Sequence, residues 1–313
     1  MISGHATFAR EIINSSWIQA RLFLAPISKL LLSVSTMGDT GFLADKTKVF
    51  SIVLVNYKTP EITKICLDLL HQHVGNSGVP IWVVDNYSAD ESTEYLRTLD
   101  WINLIERTTP EPEQGHIAHG KALDMALARI DTDYVFLLHT DTFIFDKNVF
   151  PMMLNKCMKN PKVVAVGCVE QLNRGTTRTL WRFSSRLFKH HFRRMKLSLG
   201  LRSREPKPYR EVHLKSFCTL WNCKLIKQHD MHFLMDDRVP GYTLQDRMTE
   251  LGYVVELLSP RKIFSYLDHI QSGTVAAAGG YETTHRRTKM YNDLLERLNK
   301  GDSKGQTSQT RNK

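Results

Sequence analysis

Several things this chain has little of narrow the field before any motif is read. It holds no C-x-x-C pair, and its five cysteines (Cys66, Cys157, Cys168, Cys218 and Cys223) are an odd number. That argues against a disulfide framework and for a reducing compartment. The N-terminus lacks a basic region followed by an unbroken apolar stretch, so no signal peptide is expected. The apolar segment Trp17–Val34 is interrupted by Gln19, Arg21, Pro26 and Lys29. A spanning helix needs roughly 20 mostly apolar residues, so this segment is expected to lie on a membrane or pack on a domain. Acidic residues are scarce: 32 Asp and Glu against 42 Lys and Arg leave a formal net charge of +10. Such a surface favours anionic partners: nucleotides, acidic polymers or acidic lipid. The expected location is cytoplasmic, with peripheral attachment to the inner membrane face as an extension of it.

What is present is an alternation of short apolar runs with amphipathic segments. Val49–Val55, Ile81–Val84, Ile102–Glu106, Tyr134–Leu138 and Val163–Gly167 read as strands. Thr59–His73, Ser92–Leu99, His119–Ile130 and Asn148–Met158 read as helices between them, the first with Pro60 in its opening turn and Thr59 as its cap. The pattern predicts an α/β domain with a mostly parallel central sheet and helices on both faces. The expected organisation is an N-terminal extension over 1–46, a main domain over 47–275 with a basic insertion at 170–215, and a C-terminal helix with a polar, disordered tail over 276–313.

Ligands of such sheets bind beyond the carboxyl ends of the strands. After the second strand comes Asp85-Asn86-Tyr87-Ser88-Ala89-Asp90, and after the fourth His139-Thr140-Asp141-Thr142. A carboxylate at the first place can accept from a base or a ribose hydroxyl, while Asp90 or Ser88 can equally cap the next helix. One at the second suits a hard divalent cation held against a diphosphate, and a nearby imidazole shifts the preference toward Mn²⁺. Two acidic loops at one sheet edge make a layout for a nucleoside diphosphate.

The runs Phe50–Pro60, Val83–Ser92 and Phe136–Thr142 resemble family-2 glycosyltransferases of the GT-A fold, most specifically in D-N-x-S-x-D-x-S. The resemblance implies a nucleotide-sugar donor, a glycan or lipid-linked acceptor, and Mn²⁺ or Mg²⁺. It places Asn56 and Tyr57 in the nucleotide pocket and Asp85 against the base, with Asn86 and Ser88 shaping the loop. Asp141 matches the last acid of the family's D-x-D metal motif, whose first acid is replaced by His139, a metal ligand or a sugar contact. A late histidine before Gly-Ser or Gly-Thr often completes the metal shell, and His269 in Asp268-His269-Ile270-Gln271-Ser272-Gly273-Thr274 stands in that place. The stretch from Gln114 to Lys121 opens a helix facing the donor, with Lys121 as added charge. The general base usually lies in an acidic pair before a helix ending in Arg-x-x-x-x-Gly-Tyr. Arg247–Tyr253 matches that helix end, but the pair would fall near Pro240 and Gly241. Asp237 is the expected base, with Asp246 in reserve.

Around Leu180–Leu201, basic and apolar residues recur within each helical turn. Such a helix fits an anionic membrane surface, a cleft for a polyanion or a solvated cover on the core. Three functions follow: an inverting, metal-dependent glycosyltransferase, a nucleotide-binding module without catalysis, and, with least support, a basic nucleic-acid-binding protein.

Overall fold

A computed structural model describes residues 49–109, 113–173, 175–206 and 208–270. All of them lie in one compact unit within Leu43–Lys313. The expectations for the 1–46 extension, for the helix at 281–298 and for the polar tail fall outside the described residues.

The first half follows the expected alternation. Strand β1 (Phe50–Asn56) is buried along its whole length. Helix α1 (Pro60–Leu70) begins on Pro60 with Glu61 in its first turn, and a π-turn over His71–Gly75 continues it. Thr59 does not cap it: its φ is 134° and its side chain bonds no backbone N–H. Then come β2 (Ile81–Asp85), α2 (Glu91–Arg97), β3 (Asn103–Glu106), α3 (Gly115–Leu127) and β4 (Tyr134–His139). Asp90 caps α2, accepting from the Ser92 N–H at 3.0 Å. Helix α3 starts at Gly115, four residues before the expected start at His119.

The remaining elements are β5 (Thr142–Ile144), α4 (Val149–Lys159), β6 (Val163–Gly167), α5 (Gly175–Ser198), β7 (Cys218–Asn222), α6 (Cys223–Gln228), α7 (Tyr242–Glu250), β8 (Val254–Leu257), α8 (Pro260–Ile263) and β9 (Leu267–His269). The main sheet has seven strands in the order β3-β2-β1-β4-β7-β6-β8. It is mostly parallel, with β7 running antiparallel to both of its neighbours. A second sheet pairs β5 with β9.

Alternate residues of β1 and β4 supply the two faces of the core, as the period of a strand requires. Val53, Val55, Val135 and Leu137 pack with Ala122, Leu123, Ala126 and Leu127 of α3. On the other side, Phe136 meets Phe50 and Phe150 of α4 with ring centroids 5.2 and 5.0 Å away. Both faces are thus covered by helices, and the polar residues are pushed to the strand ends. All five cysteines are buried and free.

Candidate donor and metal site

Register decides which side chains meet. In β1, Asn56 pairs with Asp85 of β2 and Val55 with His139 of β4. The ends of three adjacent parallel strands therefore open at one edge, with Asn56 in the middle.

On the β2 side, the Asp85 carboxylate is the hub of a buried polar cluster. Its Oδ1 accepts from Asn56 Nδ2 at 2.8 Å and from Ser88 Oγ at 2.5 Å. Its Oδ2 accepts from Thr93 Oγ1 at 2.9 Å and more weakly from the Ser88 N–H at 3.4 Å. A carboxylate has about four lone-pair sites, and these bonds use them. These bonds order the loop in which the sequence expects Asp85 to meet the base. Asn56 is equally committed: its Nδ2 also lies 3.1 Å from Ser88 Oγ and 2.9 Å from Ser92 Oγ, and its Oδ1 accepts from Thr63. Asn86 accepts from Arg107 Nη1 at 2.8 Å, and Arg107 pairs with Glu113, which also holds Lys121 at 2.6 Å. Lys121 holds the Glu113 carboxyl below its ordinary value against the effect of burial, with Arg107 adding to it. Lys121 is therefore tied to the loop through two side chains. Tyr57 and Tyr87 are exposed beside these ordered groups. Lys58, Thr59, Tyr87 and Ala89 all have positive φ. For such residues that conformation costs energy and recurs at ligand-holding loops.

On the β4 side, the chain leaves His139, passes buried Thr140 and Asp141, and enters β5. There Thr142 pairs with His269 of β9. This short ladder brings together residues 128 apart. His139, Asp141 and His269 offer one ligand atom each, all within 4.8 Å of one another. The Nε2 of His139 is occupied by protein, and the Nδ1 of His269 faces the Asp141 carboxylate at 3.3 Å. His139 Nε2 lies 2.8 Å from Ser216 Oγ, and its Nδ1 lies 3.7 Å from Asp141 Oδ1. His269 Nδ1 lies 3.2 Å from the Asp141 carbonyl oxygen and 3.2 Å from Thr142 Oγ1. Such partners fix the tautomer of a ligating histidine and turn its lone pair toward an ion. Burial pushes the His139 imidazole down to about 3 although Asp141 pulls the other way, so its lone pair is present at neutral pH. Two imidazoles and a carboxylate fit a divalent transition metal. His119, whose ring meets that of His139 edge-on at 5.3 Å, has a buried Nε2 without a hydrogen-bond partner among the described residues.

Residues 51–217 match the family described as Glycosyl transferase family 2. The chain belongs to glycosyl transferase family 2. Its sheet order and layering agree with the GT-A-type architecture expected from the sequence. No curated protein matches it. Among solved structures, it resembles a mannosyltransferase from Pyrobaculum calidifontis solved with GDP-mannose and Mn²⁺, at 14% identity and a TM-score of 0.47 over 67% of this chain and 54% of that one. It resembles TarS 1-349 of S. aureus at 15% identity and a TM-score of 0.42, over 67% and 58% of the two chains. A glucosyl-3-phosphoglycerate synthase from Mycobacterium tuberculosis is similar at 15% identity and a TM-score of 0.47, over 78% and 85%. The chain thus spans little more than half the length of the first two.

The two base candidates of this family-2 chain differ in their surroundings. Asp237 is exposed, with φ of 50°, on the loop before α7, and its backbone carbonyl oxygen lies 3.1 Å from His116 Nε2 of α3. Its carboxylate makes no hydrogen bond or ion pair among the described residues. That loop is fastened to α3: Asp124 accepts from the Phe233 and Leu234 N–H groups at 2.7 and 3.1 Å. Gly120 lets it approach, since a Cβ there would stand 2.8 Å from Leu234 Cβ. Asp246 instead accepts from His213 Nε2 and Arg238 Nη1, each at 2.8 Å. Burial raises its pKa, but Arg238 and His213 outweigh that and hold it below its ordinary value. A base occupied in this way is a poor proton acceptor.

Sequence reasoning missed Ser216, Arg107, Glu113 and His119. His119 lies within the stretch from Gln114 to Lys121. The others carry no local signal.

Proposed function

We propose that this chain moves a sugar from a nucleoside-diphosphate donor to a hydroxyl of a glycan or lipid-linked acceptor, with inversion. The observation that carries the proposal is the convergence of His139, Asp141 and His269 beside the ordered loop after β2 in a chain of this family. A divalent ion held by these three would neutralise charge on the departing nucleoside diphosphate. Two nitrogen ligands favour Mn²⁺ over Mg²⁺. Asn56 and Tyr57 line the nucleotide pocket and Asp85 meets the base, while Asn86 and Ser88 shape the loop. Lys121 adds charge at the helix facing the donor. The acceptor oxygen bonds to the anomeric carbon as the bond from that carbon to the phosphate oxygen breaks, and the hydroxyl proton passes to Asp237. Asp246 holds the flank of α7 rather than the proton.

The test is a panel of nucleotide sugars with Mn²⁺, scored for both binding and turnover. Donor hydrolysis or transfer by the wild-type chain supports the proposal. Tight nucleotide binding with no turnover across the panel would instead establish a binding module without catalysis, a reading favoured by the absence of an acidic pair at Pro240 and Gly241.

Helix α5 supports a second element of this reading, attachment to an anionic membrane surface. Among the described residues, no helix is long and apolar enough to cross a membrane. Yet α5 buries none of its residues. Trp181, Phe188, Phe192 and Met195, at i, i+7, i+11 and i+14, are 75, 71, 42 and 50% exposed. They form one stripe on a helix that contains basic residues and no acidic ones, the composition of a helix that lies in an anionic interface.

A further inference from the structure

The opposite side of α5 borders a cleft of about 430 Å³ that reaches Tyr242 at the start of α7. We infer that this cleft binds a phosphate or diphosphate group carried by the acceptor. The inference rests on the glycosyltransferase reading and deepens it by naming the acceptor's chemical class.

Charge is the first argument. Arg186, Lys189, Arg193 and Arg210 line the cleft, against one carboxylate, Glu211. That carboxylate is already shared by Arg186 at 3.0 Å and Lys215 at 3.4 Å. Lys189, Arg193 and Arg210 have no carboxylate partner among the described residues. Arg193 reaches only the Glu205 carbonyl oxygen, at 3.5 Å, and Arg210 lies over the Phe183 and Tyr209 rings. Three cations without a counter-charge around one cavity match a multiply charged oxyanion, which accepts several charge-assisted hydrogen bonds at once.

Order is the second argument. The floor of the cleft is already set: His213 stacks on Tyr242 with centroids 4.2 Å apart and planes 13° apart, and Lys215 Nζ donates to the Tyr242 hydroxyl at 2.5 Å. The cations therefore stand on a framed cavity and not on a loose surface.

Position is the third. His213 lines the cleft, and Ser216, three residues on, holds His139 of the metal cluster. Three residues span at most about 11 Å. The Asp237 loop leads directly into α7 on the same side. A group anchored in the cleft thus presents its sugar hydroxyl toward the base and the donor.

The chemistry has two sources, a soluble sugar phosphate or a lipid-linked diphosphate. The experiment measures binding of inorganic pyrophosphate by titration calorimetry with EDTA present, so that the metal cluster does not contribute. The full chain is compared with Arg193→Glu/Arg210→Glu and with the charge-keeping Arg193→Lys/Arg210→Lys. The Glu pair is expected to weaken binding by roughly a hundredfold, about tenfold for each charge-assisted bond lost, and the Lys pair by much less. Mn²⁺-dependent nucleotide binding by the Glu pair is expected within about twofold of wild type, which also reports an intact fold; a collapse of it moves the comparison to the Lys pair and to Lys189→Ala. Pyrophosphate binding that is absent from wild type or equal in all variants overturns the inference. A second arm uses neutral vesicles with and without a polyprenyl diphosphate. Loss of the diphosphate-dependent part in the Glu pair assigns the lipid-linked source, and loss of soluble pyrophosphate binding alone assigns the soluble one. Retention of pyrophosphate binding with loss only on phosphatidylglycerol vesicles overturns the inference in favour of surface adhesion. Failure of the donor panel with pyrophosphate binding still dependent on Arg193 and Arg210 would remove the transferase reading and leave the anion site standing.

Discussion

The strand ends of β1, β2 and β4 and the helix α5 treat polar side chains in opposite ways. At the strand ends, Asp85, Asn56, Ser88 and Thr93 are buried and spend their hydrogen bonds on one another. On α5, no residue is buried, and Lys189, Arg193 and Trp181 face outward or into a cleft. A network satisfied internally fixes geometry, whereas exposed groups with unused bonding capacity await something external. In the proposed reading, the first region holds a small donor in one pose. The second is built to meet something larger or more variable.

Substitutions can break this comparison. The largest effect is expected at Asp237. Asp237→Asn should lower turnover by roughly 10²–10⁴-fold, the usual worth of a general base, with donor affinity unchanged. Asp246→Asn should cost far less turnover and act on stability through Arg238 and His213. Equal losses of turnover in both would remove the distinction drawn between a carboxylate without partners and an ion-paired one. Next, Asp141→Ala should weaken Mn²⁺-dependent nucleotide binding by about a hundredfold or more, since even losses around a metal's ligands cost roughly 10–100-fold. Metal-independent affinity should remain, and calorimetry with and without Mn²⁺ reads both. A third substitution, His139→Asp, restores an oxygen ligand and should shift the ratio of Mn²⁺ to Mg²⁺ affinity toward Mg²⁺ by about tenfold. An unchanged ratio would mean that His139 does not ligate.

Within the internally bonded region, Asp85→Ala separates ordering from contact. Removing the carboxylate strands donors on Asn56, Ser88 and Thr93. Each buried unsatisfied group costs about 1–3 kcal/mol, so thermal unfolding should fall by several degrees even without nucleotide. A variant with wild-type stability and weakened nucleotide binding would assign Asp85 to contact with the base and not to ordering.

The strands were legible in the sequence because buried parallel strands leave short apolar runs, and the strand-end carboxylates because they interrupt those runs. The late histidine was legible only through family resemblance. Its physical cause, the three-residue β5–β9 ladder, is too short to leave a periodic signal. The bonds that order Asp85 were hidden for a related reason: the sequence shows the carboxylate, while its donors lie as far as 29 residues away. Ser216 orients His139 from 77 residues away, a distance at which a lone serine has no local signature. Thr59 sits in a cap position by sequence, yet with its φ of 134° the hydroxyl bonds no backbone N–H and lies instead 3.4 Å from that of Thr63.

The smallest stability effect is expected on α5, and it separates the two regions most sharply. Trp181 is 75% exposed, so Trp181→Ser should leave folding stability within about 0.5 kcal/mol, as for most surface sites. Phe136→Ala, in the β4 core, should cost about 3–5 kcal/mol. Binding to vesicles containing phosphatidylglycerol should reverse that order: Trp181→Ser lowers it several-fold, because the indole supplies apolar area to the interface, while any Phe136→Ala protein that stays folded binds as wild type. Trp181→Ser that lowers the unfolding temperature by several degrees would show the indole packed against the chain itself, and the aromatic stripe would then belong to the fold and not to a partner.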